Sequence, residues 1–113
     1  MRGKIGDQQR FLHIEEAIQE IEAYIKNIDI QEFKSNSMIR FASIKQIEII
    51  GEAARYISDD TKNTFPDIAW KEIAGLRNIL VHEYFGIDAE LIWQIVTIDI
   101  PELKEKLKER NPD

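Results

Sequence analysis

No cysteine occurs in the 113-residue chain. That excludes a disulfide framework and any thiolate-held metal, and it fits a reducing, cytoplasmic compartment. Turn residues are scarce: there are five glycines, and the three prolines all lie beyond residue 65. A chain so poor in them does not build a many-stranded sandwich or barrel. No apolar stretch reaches the length of a membrane span. The opening Met1-Arg2-Gly3-Lys4-Ile5-Gly6-Asp7 has no apolar run after its basic residues, so no secretory signal is expected. Positive charge is also short, with 15 Lys and Arg against 21 Asp and Glu and a net charge of −6. Such a balance argues against holding nucleic acid by bulk electrostatics. What is present, 43% hydrophobic and 32% charged residues, is globular composition. The length is that of one domain, 1–113, with an ordered core expected over about 7–108.

The acidity is uneven. Residues 37–86 carry six basic and seven acidic side chains, so the flanks hold most of the negative charge. The middle is where an anionic ligand is best tolerated.

Apolar periodicity reads as helices throughout. Phe11, Ile14, Ile18, Ile21, Ile25 and Ile28 form one helical stripe, with Asp7 as the expected N-cap. Residues 29–36 read as a loop carrying one core candidate, Phe33. A second helix, capped by Ser37, runs to about Ser58. Ile39, Ile47, Ile50, Ala54 and Ile57 lie on one stripe; Met38, Phe41, Ala42, Ile49, Ala53 and Tyr56 widen it to a surface that packs on two sides. Gly51 in its middle implies close approach of another helix. After a polar stretch, Asp67 is expected to cap a third helix bearing Trp70, Ile73, Leu76 and Leu80, which ends near His82 to Tyr84 with Gly86 in the turn. Asp88 caps a fourth, bearing Leu91, Trp93, Ile95, Val96 and Ile98. Pro101 opens a short last helix with Leu103 and Leu107 inside and a Glu102–Lys106 surface pair. The expected architecture is an all-α bundle of four to five helices.

Two histidines limit the chemistry. His13 lies near Glu16 but lacks a third ligand, and reads as a boundary residue. No metal and no cofactor is expected, because neither a metal-ligand cluster nor a phosphate-cradling glycine loop is present. Residues 77–88 are different: Arg77, Asn78, His82 and Tyr84 gather at the end of an apolar helix. Asn78 and His82 are four apart and share a face, so Asn78 can orient the imidazole. Arg77 and His82 are five apart, about 140° around an ideal helix. A long stem, a loosened last turn or a second copy of the chain could bring them together. A guanidinium binds phosphate in forked geometry and an imidazole moves protons at neutral pH, a sensible pair for metal-free phosphodiester cleavage. The alternative is structural: Arg77 pairs with Glu72 or Glu83, and His82 faces the helix dipole.

The stretch Arg77-x4-His82-x-Tyr84, with Asn78 after the arginine, resembles the Arg-x(4–6)-His motif of the HEPN superfamily, and its HepT-like branch most. Ile49-Ile50-Gly51-Glu52-Ala53, Pro66-x3-Trp70-x2-Ile73, and Asp88 followed by Trp93 and Pro101-x-Leu103 agree with it in order. The resemblance runs from about Asp7 to Lys108. It implies a helical bundle that dimerises along the motif helices, with two copies of Arg77 and His82 in one cleft. It implies a ribonuclease toxin that acts on an RNA such as tRNA or mRNA. It also implies a partner antitoxin, a minimal nucleotidyltransferase that silences the toxin by adenylylating the motif tyrosine, here Tyr84. A non-catalytic nucleotide-binding or partner-docking module, or a purely structural bundle, stays open beside that reading.

Overall fold

A computed structural model describes residues 2–82 and 88–108, with side chains over 6–78 and 88–108. The described chain is helical: α1 (Arg2–Ile25), α2 (Ile30–Ser35), α3 (Ser37–Arg55), α4 (Asp59–Thr64), α5 (Trp70–His82), α6 (Ala89–Gln94) and α7 (Ile100–Lys108), with a π-helical turn at Ile95–Asp99 between the last two. No helix among the described residues is long and apolar enough to cross a membrane.

α3 is the centre of the bundle, packed by α1 on one side and α5 on the other. Its two-sided apolar surface accounts for this: Ile44, Ile47, Ile50 and Ala54 are all buried. The α1 stripe faces it, with Phe11, Ile14, Ile18 and Ile21 fully inside and Ile25 and Ile28 at the margin. Phe11 also meets Phe65 and Trp70 edge-on, at 5.9 and 6.0 Å. The Trp70 indole N–H donates to the Phe65 carbonyl at 3.1 Å, which fixes where α5 begins.

Gly51 shows why α3 carries a glycine. A Cβ there would stand 3.2 Å from the Ile73 carbonyl and 3.5 Å from Arg77 Cβ, so any larger residue would push α5 outward. Gly75 on α5 is the contrast, because a Cβ there meets nothing within 4 Å. Gly75→Ala is therefore expected to gain about 0.5–1 kcal/mol from lost unfolded-state freedom, as ordinary helix propensity dictates. Gly51→Leu is expected to lose about 1–3 kcal/mol by overpacking. Urea-unfolding midpoints of the two variants read this directly.

Several expectations are corrected. Asp7 does not cap the first helix, which already starts at Arg2; it is 3% exposed and accepts from the Ser58 N–H, Ser58 Oγ and Thr61 Oγ1 at 2.9, 2.6 and 2.5 Å. It thereby ties α1 to the start of α4. Residues 29–36 are not a loop: Asp29 caps the single-turn-scale helix α2 through the Glu32 N–H, and Phe33 is buried against Trp93. Arg40 of α3 closes its far end, donating to the Phe33 and Lys34 carbonyls. Asn36 rather than Ser37 caps α3, and that helix stops at Arg55. Asp67 is not a cap, since α5 starts at Trp70.

Asp88 does cap its helix, accepting from the Glu90 and Leu91 N–H groups. Pro101 lies in the first turn of the last helix, α7, as expected, but no break in the helical backbone precedes it. Helical backbone runs from Ala89 to Lys108, and the π turn lies just before the proline, with the Ile100 N–H bonded to the Ile95 carbonyl. Proline lacks the N–H that Thr97 would receive, and its ring would strike that carbonyl; the wider π turn accommodates both. The extra residue rotates the apolar face, so Ile92 is buried while Ile98 is 56% exposed. Leu103 and Leu107 are buried and Lys106 pairs with Glu102 at 3.0 Å, as expected. Leu80, the Gly86 turn and the tail after Lys108 lie outside the described residues.

Candidate active site

α5 carries the motif, and α3 supports it. Gly51 sets how near the two helices come, and the next residue, Glu52, then reaches across to Arg77. Its carboxylate oxygen stands 3.0 Å from the guanidinium, and both side chains are about 45% exposed. The following residue, Ala53, is 7% exposed and belongs to the core. So in Gly51-Glu52-Ala53 the first residue gives close approach, the second an ion pair and the third a side chain in the core.

Among the described residues the partner of Arg77 is Glu52 on α3 and not Glu72, which corrects that part of the structural alternative; Glu83 lies outside the described residues. The pairing was missed because it joins residues 25 apart, which no local spacing reveals. The one available signal was the position of Glu52 beside a mid-helix glycine. A pair so exposed contributes about 0–1 kcal/mol. The carboxylate therefore holds the guanidinium in place without sequestering it, and the two non-bridging oxygens of a singly charged phosphodiester can displace it at small cost.

Asn78 follows Arg77 on α5 and is exposed. α5 is helical through His82, its last residue. A loosened last turn therefore does not bring Arg77 and His82 together, and five residues of ideal helix separate them by about 7.5 Å along the axis and about 140° around it. The reach of the arginine stem or a second copy of the chain remains to close that gap. The His82 side chain, its expected bond to Asn78, and the whole of Tyr84 lie outside the described residues.

His13 is exposed on α1, its Nε2 3.3 Å from Gln9 Nε2. Among the described residues no group of three or more His, Asp or Glu side chains is placed to hold a metal ion. A separate groove between α5 and the π turn is lined by Ile73, Leu76, Asp99, Glu102 and Leu103. Desolvation, then the Glu102 charge, pushes the Asp99 carboxyl above its ordinary value. The groove contains no imidazole and no guanidinium, so it lacks the motif's chemistry.

Comparison with known proteins converges on one group. The profile of the family described as "Ribonuclease HepT-like" matches residues 14–110, a span that includes both Arg77 and His82. A "Putative RNase" of Methanocaldococcus jannaschii is 48% identical over 103 residues, covering 90% of this chain and 94% of its own. A "Probable ribonuclease HepT" of Thermococcus cleftensis is 42% identical, covering 84% of this chain and 86% of its own. A "Putative RNase" of Caldanaerobacter subterraneus is 36% identical, covering 86% and 89%. No solved structure gives a significant match.

Proposed function

Because this chain belongs to the HepT-like ribonuclease family, we propose that it is a metal-independent endoribonuclease in which Arg77 and His82 cleave RNA. The observation that carries this reading is the Arg77 guanidinium: half exposed, steadied by one carboxylate from α3, and one helical segment away from the only other histidine besides His13. The 2′-hydroxyl of the substrate is the nucleophile. One His82 removes its proton as the oxygen attacks the adjacent phosphorus. A second His82, or water, protonates the departing 5′-oxygen. Arg77 stabilises the charge that grows on the phosphate. Asn78 orients the imidazole or contacts the phosphate. The products are a 2′,3′-cyclic phosphate and a 5′-hydroxyl, and DNA is left uncut because it lacks the nucleophile.

The active form is a homodimer. Met38 and Phe41, on α3, are 76% and 48% exposed in the single chain. Large apolar side chains left open on a central helix favour cover by a second copy, which also supplies the second His82. The chain acts as the toxin of a two-gene module, and its partner nucleotidyltransferase transfers AMP from ATP to the hydroxyl oxygen of Tyr84, releasing pyrophosphate and the phenolic proton. A bulky phosphodiester two residues from His82 excludes and repels an RNA phosphate.

Expression in cells tests this reading together with its switch. The wild type is expected to arrest growth and His82→Ala is not. Tyr84→Phe is expected to keep the arrest and to escape rescue by a cognate nucleotidyltransferase. Intact mass after incubation with that enzyme and ATP should show added AMP on the wild type alone. Equal mass gain on Tyr84→Phe removes Tyr84 from the switch.

A further inference from the structure

An acidic ribonuclease must hold its substrate somewhere, and a net charge of −6 makes a local device necessary. One turn beyond Glu52, at the end of α3, stands Tyr56, 52% exposed. Two guanidinium groups lie at its ring: Arg10 of α1 at 5.6 Å from the centroid and Arg55 at 5.4 Å. Lys62 adds a third cation, its Nζ on the Arg55 carbonyl at 3.5 Å. Among the described residues neither arginine has a carboxylate at ion-pair distance, whereas Arg77 does. Arg10 acts on the Asp7 carboxylate through space, but Ser58 and Thr61 already engage that carboxylate, so guanidinium groups that converge on an open aromatic ring without an ion-pair contact are available to an incoming anion.

The position matters as much as the chemistry. Tyr56 is the C-cap of α3, its N–H still bonded to the Ala53 carbonyl. Four residues and about 6 Å of helix axis separate it from Glu52. That is the scale of one nucleotide step from the phosphate that Arg77 would bind. Stacking on tyrosine is open to every base, because every base has a π-face, and arginines beside the ring suit the flanking phosphates.

We propose that Tyr56, flanked by Arg10 and Arg55, is a stacking platform for a nucleobase of single-stranded RNA, with the two arginines on the phosphates either side of that base. The base takes a ring face, and the guanidinium it displaces moves to the adjoining phosphate. This site rests on the ribonuclease reading and gives it a substrate class: unpaired RNA, since a base in a duplex has no free face to offer.

A single-stranded 2′-O-methyl oligonucleotide, which cannot be cleaved, separates binding from chemistry. Fluorescence anisotropy with the full chain should show Tyr56→Ala binding about tenfold more weakly and Tyr56→Phe close to the wild type, because the ring survives. The double variant Arg10→Gln with Arg55→Gln should reduce the slope of log affinity against log salt by about 1.4, the share of two phosphates on a single strand. With cleavable RNA the Tyr56→Ala loss should fall on KM. If Tyr56→Ala binds and cleaves as the wild type does, the platform is wrong and the ribonuclease reading stands. If the wild type neither binds nor cleaves RNA, that reading fails and the platform with it. Weaker binding by Tyr56→Ala accompanied by a change of mass in light scattering assigns Tyr56 to packing between copies and also overturns the proposal.

Discussion

Replacing Arg77 by Ala is expected to lower RNA cleavage by about 10²–10³-fold, the usual loss when a group aimed at transition-state charge is removed. Replacing His82 by Ala should cost about 10²–10⁴-fold, the range for general acid–base catalysis. The Arg77 change should not unfold the protein, because Arg77 lies half exposed and its ion pair with Glu52 stabilises by about 0–1 kcal/mol. Arg77→Lys keeps the charge and loses the forked geometry, so it should recover only part of the activity. Initial rates on a fluorescent single-stranded RNA, beside far-UV circular dichroism of each variant, separate catalysis from folding. Full activity in Arg77→Ala would return the arginine to a structural role.

The second large effect is on stability. Burial by itself would push the Asp7 carboxyl up. The hydrogen bonds from Ser58 Oγ, Thr61 Oγ1 and the Ser58 N–H, together with the Arg10 charge, more than offset that and hold it below its ordinary value of 3.8. Asp7→Ala leaves those donors without their acceptor inside the fold and is expected to destabilise by about 3 kcal/mol. That corresponds to roughly 12 °C in Tm for a chain of this size. The pH dependence has a definite sign. A carboxylate whose pKa is depressed in the folded state stabilises at pH values above the unfolded pKa, and that contribution is lost as pH falls through the folded one. The wild type should therefore exceed Asp7→Asn in stability near neutrality, and the gap should narrow below about pH 4. A gap that does not change with pH would mean that Asp7 acts without its charge. Thermal unfolding of both proteins from pH 7 to pH 3 gives the comparison.

How much of this was legible in the sequence follows from how local each cause is. The α1 stripe, the two-sided α3, buried Phe33, the Asp88 cap and the Leu103–Leu107 face all depend on periodicity or on neighbours within four residues, and they were read correctly. Gly51 was legible because a glycine inside a helix needs a reason, and the close carbonyl of Ile73 is that reason. Asp7 was misread because its partners are Ser58 and Thr61, more than fifty residues away, while an acid before an apolar stripe looks like a cap. The displaced register of Ile92 and Ile98 came from the π turn, which a constant 3.6-residue period cannot represent. Pro101 did mark the start of α7, but the π turn that leads into it carries no local signal. At the candidate site, Arg77 was singled out by its motif, but its hold by Glu52 and the Arg10–Tyr56–Arg55 cluster depend on helices brought together by the fold. His82 was placed at the end of α5 by the same motif, and α5 is helical to that residue.

Mass analysis of the ends left on a single-stranded RNA, cut by the purified chain in excess chelator, tests the Arg–His chemistry most directly. Metal-free attack by the 2′-hydroxyl requires a 2′,3′-cyclic phosphate on one fragment and a 5′-hydroxyl on the other, formed at an undiminished rate without divalent ions. The same RNA with its 2′-hydroxyls methylated should stay intact. Fragments ending in a 3′-hydroxyl and a 5′-phosphate, or cleavage that appears only when magnesium is restored, would mean that water or a metal-bound nucleophile attacks the phosphate, and would contradict the mechanism assigned to Arg77 and His82.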